Sequence, residues 1–153
     1  MKIGWVYLDK KAAALRAVKD YNIMDHIIRN YLSAIEEART RMDSTRSPVL
    51  SFAHGSSNLT ASEEERIVEA IDSINVIEER YRCAVDYMNW FLPAWSALNE
   101  VERIILSEFY QTDYVSRTTV INSLNLKLYL ERAQIYRYKD KALERLALLL
   151  YGR

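Results

Sequence analysis

The residues best suited to chemistry lie near the C-terminus, where Gln134, Arg137 and Lys141 recur at spacings of three and four. On a helix that spacing gathers them into one stripe. Arg and Lys can donate to guanine O6 and N7, and Gln can pair with adenine N6 and N7, so the stripe suits the major-groove edges of base pairs. Ala133, on the same side, is small enough to permit close approach or to touch a thymine methyl. Arg132, Lys139 and Arg145, with Arg117 and Lys127 upstream, are the cations expected to meet phosphate. Asp140 and Glu144 would oppose phosphate, so contact should concentrate in roughly the first three turns of the helix.

Other reactive side chains point elsewhere. His54-Gly55-Ser56-Ser57 looks like a hydrolase loop but lacks the Gly-x-Ser-x-Gly elbow and its strand–turn–helix setting. His26 stands beside Ile27 and Ile28 on a helical stretch and reads as a packed or half-exposed side chain rather than a base. Glu63, Glu64 and Glu65 fall in the first turn of a helix, where the helix dipole favours acids. Two histidines and the single cysteine, Cys83, are too few for a structural zinc site, and one cysteine excludes an intramolecular disulfide. Tyrosine is abundant, but no base or metal is in place to activate one. The expectation is a protein without cofactor or metal, and not an enzyme.

The elements that must position the basic stripe follow from periodicity. Tyr21, Met24, Ile28, Tyr31, Ile35, Ala38 and Met42 form a heptad seam on a helix from about Asp9 to Met42. Asp43 to Ala61 breaks the pattern with Ser, Thr, Pro48, Gly55 and Asn58 and reads as a long loop. Thr60 with Glu63, and Ser62 with Glu65, each fit a capping box that opens the second helix. Its seam is Ile67, Ala70, Ile74, Ile77, Tyr81, Ala84, Met88, Phe91 and Trp95, with Pro93 kinking it or marking its last turns. Tyr81, Phe91 and Trp95 read as core, and Cys83 as an inert side chain beside the seam. Two such seams predict a long antiparallel hairpin, closed on itself or on a second copy as a homodimer.

Asn99 with Glu102 marks a third helix, whose apolar face is Leu98, Val101, Ile104, Ile105 and Phe109. Ser116 caps a fourth, with Val120, Ile121, Leu124 and Leu128 facing inward. A turn around Lys127 to Leu130 leads to a last helix from about Glu131 to Tyr151, stopped by Gly152. With Ile135 at the centre of its buried face, Ala142, Leu146 and Leu149 fall within about 40°. A short helix, a turn and a longer basic helix give the outline of a helix-turn-helix. The fold expected is therefore all-α: residues 1–43 a long helix, 44–61 a loop, 62–97 the second arm of the hairpin, and 98–153 a DNA-binding domain.

Composition agrees. The chain has 153 residues, enough for one ordinary domain, and only three glycines and two prolines, which disfavours many-stranded β folds and glycine-rich phosphate loops. Its 21 basic and 21 acidic residues cancel overall but not locally. Residues 1–61 carry net +3, residues 62–112 net −7 and residues 113–153 net +4. A basic end beside an acidic middle suggests a division of labour in which the C-terminal piece serves a polyanion, although on charge alone ordinary surface charge is the simpler reading. The N-terminus is apolar only as far as Leu8 and then meets Asp9-Lys10-Lys11, too short for a signal-peptide core. No stretch approaches a membrane span, so the location expected is the cytoplasm.

Two segments also carry a family resemblance. Leu98-Asn99-Glu100-Val101-Glu102-Arg103-Ile104-Ile105-Leu106, followed by Phe109-Tyr110, resembles the opening helix of sigma-factor region-4-like domains. Leu130 to Ala147, within it Ile135-Tyr136-Arg137-Tyr138-Lys139-Asp140-Lys141-Ala142-Leu143-Glu144-Arg145-Leu146-Ala147, and then Leu150-Tyr151-Gly152, is similar to the end of ArpU/RinA-like phage transcriptional regulators. The likeness covers residues 98–152, thins over 44–97 and is absent from 1–43. It implies a phage or prophage protein, in a bacterial host, that binds double-stranded DNA and controls transcription, often of late genes, with the helix from Glu131 in the major groove. Two departures stand out. Glu131 occupies the place where the family has a serine before the recognition helix, and about five extra residues separate Tyr110 from Ile135. The readings weighed against this one are a small phage packaging (terminase) subunit, which also joins a helix-turn-helix to a helical oligomerisation segment, and a helical protein-interaction module that does not touch DNA. In a regulator the acidic middle would be the surface offered to RNA polymerase.

Overall fold

The computed structural model describes residues 9–44, 61–112 and 116–152. Among them the protein is all-α, with five helices: α1 (Lys10–Ser44), α2 (Ala61–Ser96), α3 (Glu100–Tyr110), α4 (Arg117–Leu128) and α5 (Arg132–Tyr151). Most of the loop expected over 44–61, with Thr60 as a cap, lies outside the described residues.

Local chemistry accounts for the helix ends. Asp9 Oδ1 accepts the Ala12 N–H at 3.1 Å and opens α1, which then meets no glycine or proline before Ser44. Pro93 sits inside the last turn of α2. The helix ends three residues later, and Ala97 N–H still donates to Pro93 O at 3.2 Å. Asn99 caps α3 through a complete capping box: Asn99 Oδ1 accepts from Glu102 N at 2.8 Å, and Glu102 Oε2 accepts from Asn99 N at 2.9 Å. Ser116 caps α4 by accepting from Thr119 N at 3.3 Å. Gly152, at φ +69°, ends α5, its N–H donating to Leu148 O at 2.8 Å.

The chain divides into two compact units whose boundaries fall inside both long helices. The first comprises residues 1–24 and 86–153. It holds two apolar clusters. In one, Ala14, Ala17 and Val18 of α1 meet Phe91 and Ala94 of α2, then Leu98, Leu106, and Ala142, Leu143, Leu146, Ala147 and Leu150 of α5. In the other, Ile105 of α3, Val120, Ile121 and Leu124 of α4 and Ile135 of α5 come together. α5 is thus held twice, its start by α3 and α4 and its end by α1 and α2. This corrects one expectation: Leu149 is 43% exposed, while Leu143, Ala147 and Leu150 are buried. The buried arc of α5 turns away from Leu149 because α1 and α2 cover the opposite side of its second half.

The second unit, residues 25–85, consists of the remaining parts of α1 and α2. Tyr31 stacks on Tyr81, with ring centroids 4.0 Å apart. Further along, Ala38 and Arg41 share a cleft with Arg66, Glu69, Ala70 and Ser73, so the two segments run antiparallel there. The seam side chains Ile28, Tyr31, Ile67, Ile74, Ile77 and Tyr81 are only half-buried; Ile35, Ala38 and Ala84 are buried. His26 is exposed, its Nδ1 3.0 Å from Asn30 Nδ2, and Cys83 is exposed beside Glu79.

Candidate nucleic-acid interface

α4 and α5 are joined by Tyr129, Leu130 and Glu131. Tyr129 ends α4 in the left-handed region, φ 54° and ψ 35°, with its N–H donating to Asn125 O at 2.9 Å. Asn125 Nδ2 donates across the turn to Leu130 O at 2.9 Å. These two bonds fix the turn, and Glu131 starts α5 with its N–H donating to Gln134 Oε1 at 3.0 Å. The start of α5 is therefore set from both sides: by the turn behind it and by Ile135, fully buried against α3 and α4.

On the outward side, Ala133, Gln134, Arg137 and Lys141 are all exposed. Gln134 spends its carbonyl oxygen on the cap and keeps its amide donor for another partner. Arg137 and Lys141 have no carboxylate partner among the described residues. Asp140 and Glu144, which would repel phosphate, each stand 3.6 Å from Lys11 Nζ of α1. Lys11 had no sequence signal: it is 129 residues from Asp140 along the chain and reaches α5 only because the start of α1 packs on it.

The five cations expected to meet phosphate separate into two groups. Arg117 and Arg132 are exposed, and the Arg132 guanidinium lies 6.0 Å from the Tyr136 ring centroid. The other three have partners within the protein, Arg145 and Lys127 while still about half exposed. Arg145 Nη1 donates to both carboxylate oxygens of Glu102, at 3.3 and 3.2 Å, and Arg145 Nη2 donates to Ala97 O at 3.3 Å. Lys127 pairs with Glu108. The Lys139 ammonium lies over the rings of Tyr136 and Phe109, 5.1 and 5.5 Å from their centroids, and its side chain is 19% exposed. A single helix's periodicity carries no account of these pairings, on α5 for Lys139 and Arg145 or on α4 for Lys127. It has no knowledge of Glu102, Glu108 or Phe109 arriving from α3.

Glu102 is the one buried charged side chain among the described residues. Its carboxylate receives the Asn99 amide and the Arg145 guanidinium together, so a single group caps α3 and ties the second half of α5 to the start of α3. A buried carboxylate is tolerable only when its lone pairs are filled in this way. The capping box was legible in the sequence; its second use was not.

Three phenols titrate above their ordinary range. Burial pushes Tyr87 up, with Asp20, Tyr21 and Tyr151 adding to the shift, while its hydroxyl donates to Ala17 O at 2.5 Å. Burial also raises Tyr110, assisted by Asp140 and opposed by Arg117, and raises Tyr151. A phenol held neutral keeps its proton to donate in a hydrogen bond, as Tyr87 does to Ala17 O.

No described helix is long and apolar enough to cross a membrane. The chain matches no protein-family model, no curated protein and no solved structure.

Proposed function

We propose that the protein is a sequence-specific double-stranded DNA-binding regulator of transcription, acting on phage or prophage genes, with α4, the turn and α5 as its helix-turn-helix. The observation that carries this reading is the division of α5 into two faces at its start. Ile135 is buried against α3 and α4, while Gln134, Arg137 and Lys141 stand exposed, the two cations free of carboxylates among the described residues. Supporting it are the rigid three-residue turn and the Lys11 contacts that counter Asp140 and Glu144.

In this reading α5 enters the major groove by its first half. Arg137 and Lys141 read bases, Gln134 uses its remaining amide donor, and Ala133 allows close approach. Arg117 and Arg132 supply the phosphate contacts, which carry affinity and orientation rather than sequence. Arg145, Lys139 and Lys127 leave the interface and hold the domain together. The two long helices act as an antiparallel hairpin that carries the sigma region-4-like domain and provides the surface for a homodimer. The acidic face of α2 around Glu78 and Glu79 is then available to RNA polymerase in the host cytoplasm.

Fluorescence anisotropy with duplex fragments from the protein's own genomic neighbourhood, titrated at several salt concentrations, tests the reading. The expected result is binding that weakens steeply with salt and still prefers one fragment. No binding even at low salt overturns it.

A further inference from the structure

Beyond the base-reading stripe, the turn itself carries a side chain that packing does not explain. Tyr129 is the one non-glycine residue at positive φ among the described residues. A bulky side chain is strained there, and glycine or asparagine is the ordinary occupant of a helix-ending left-handed position. Strain of this kind is usually compensated by burial, yet Tyr129 is 91% exposed, the most exposed large hydrophobic side chain in the described protein. Leu126, one turn earlier on α4, is 75% exposed. Neither belongs to an apolar cluster. The backbone below them is nonetheless fixed, by Tyr129 N–H on Asn125 O and by Asn125 Nδ2 on Leu130 O. A rigid base thus presents a phenol to solvent at a conformational cost, and nothing within the described fold recovers it. The cost becomes intelligible if the ring is used by a partner.

We infer that Tyr129 is a DNA-backbone contact: its ring, with Leu126, packs on deoxyribose, and its hydroxyl donates to a phosphate oxygen. The inference rests on the reading of α5 as a DNA-binding helix. Two features favour nucleic acid over another occupant. The turn leads directly into Arg132, Ala133 and Gln134, so it is continuous with the proposed interface. Three residues along the chain the exposed Arg132 offers a cation to phosphate, and the Tyr129 hydroxyl adds an uncharged donor at the same end of α5.

The test uses the full chain and the preferred duplex fragment, with Tyr129→Gly, Tyr129→Asn and Tyr129→Phe. Gly and Asn both suit the left-handed backbone, so the two variants should unfold at the wild-type temperature or up to about 4 °C above it. Their DNA affinity should nevertheless fall by about tenfold, equally for preferred and non-preferred fragments, because a backbone contact carries no sequence information. Tyr129→Phe should fall by a smaller factor. The slope of affinity against salt should stay at the wild-type value in all three, since no cation is removed, whereas Arg132→Ala should flatten it. A Gly or Asn variant that is folded and binds within twofold of wild type overturns the inference while leaving the DNA-binding reading intact. A change confined to self-association or to capture of a protein partner overturns it as well. Failure of the wild-type protein itself to bind any fragment is the separate outcome that removes the reading beneath it.

Discussion

The two units are built from the same helical periodicity and use it differently. In residues 25–85 most of the seam side chains are half-buried, only Ile35, Ala38 and Ala84 among the described ones being buried, and Leu32, Val68, Ile71 and Val76 stand exposed. In residues 1–24 and 86–153, Phe91, Ile105, Leu106, Leu124, Ile135 and Leu146 are fully buried. A two-helix segment has only one face to cover and one helix to cover it, so a heptad seam buries a stripe and little more. Where five helical segments converge, each covers the others' flanks and the same residue types become a core. Periodicity therefore reports the direction a side chain faces and not the depth to which it is buried.

The largest expected effect tests that contrast directly. Phe91→Ala, in the core of the first unit, should destabilise the protein by about 3–5 kcal/mol. Ile77→Ala, half-buried on the seam of the second, should cost about 1 kcal/mol. Urea denaturation of the two variants measures the difference; equal losses would break the comparison.

The next effect separates the units by function. Arg137→Ala should weaken binding to the preferred DNA site by about 1–3 kcal/mol and relax its base preference. Reversing both Glu78 and Glu79, exposed in the second unit, to Lys should leave that affinity within twofold and lower promoter activation instead. A transcription assay beside a binding isotherm resolves the two. Activation unchanged by the reversal removes the acidic face as the polymerase contact.

A smaller effect concerns the tie between α3 and α5. Glu102→Ala removes both the cap partner and the anchor of Arg145, and should cost about 1–2 kcal/mol in thermal or chemical unfolding. In a double-mutant cycle with Arg145→Ala the losses should be less than additive, because the two changes break one shared interaction. Full additivity would show that the pair is not coupled.

The smallest effect sharpens the role of burial. Tyr87→Phe loses the hydrogen bond to Ala17 O and should cost about 0.5–1.5 kcal/mol at neutral pH. The Tyr87 phenol titrates higher folded than unfolded, so the folded state holds its proton more tightly. Its contribution is therefore complete below about pH 10, the unfolded phenol's range, and is lost as pH rises beyond it. Stability measured from pH 8 to 11 should fall more steeply for the wild type than for Tyr87→Phe. Parallel curves would contradict the assignment.

The sequence alone determined the five helices and most of their ends, because these depend on interactions within a few residues: the Asn99 and Glu102 capping box, the Ser116 cap, the Gly152 stop and the apolar spacing of each face. It also determined that Gln134, Arg137 and Lys141 share the outward side of α5, since their angular relation is a property of one helix. Only the tertiary structure decided which cations remain available. Arg145, Lys139 and Lys127 are claimed by Glu102, Phe109 and Glu108 of α3, while Lys11 of α1 reaches Asp140 and Glu144. It also decided that Leu149 is exposed and Leu143 buried, and that Tyr129 stands strained at the tip of the turn. The reason is the same in each case: charge pairing and burial are set by neighbours that are distant in the chain, and helical periodicity carries no information about which helix will pack where.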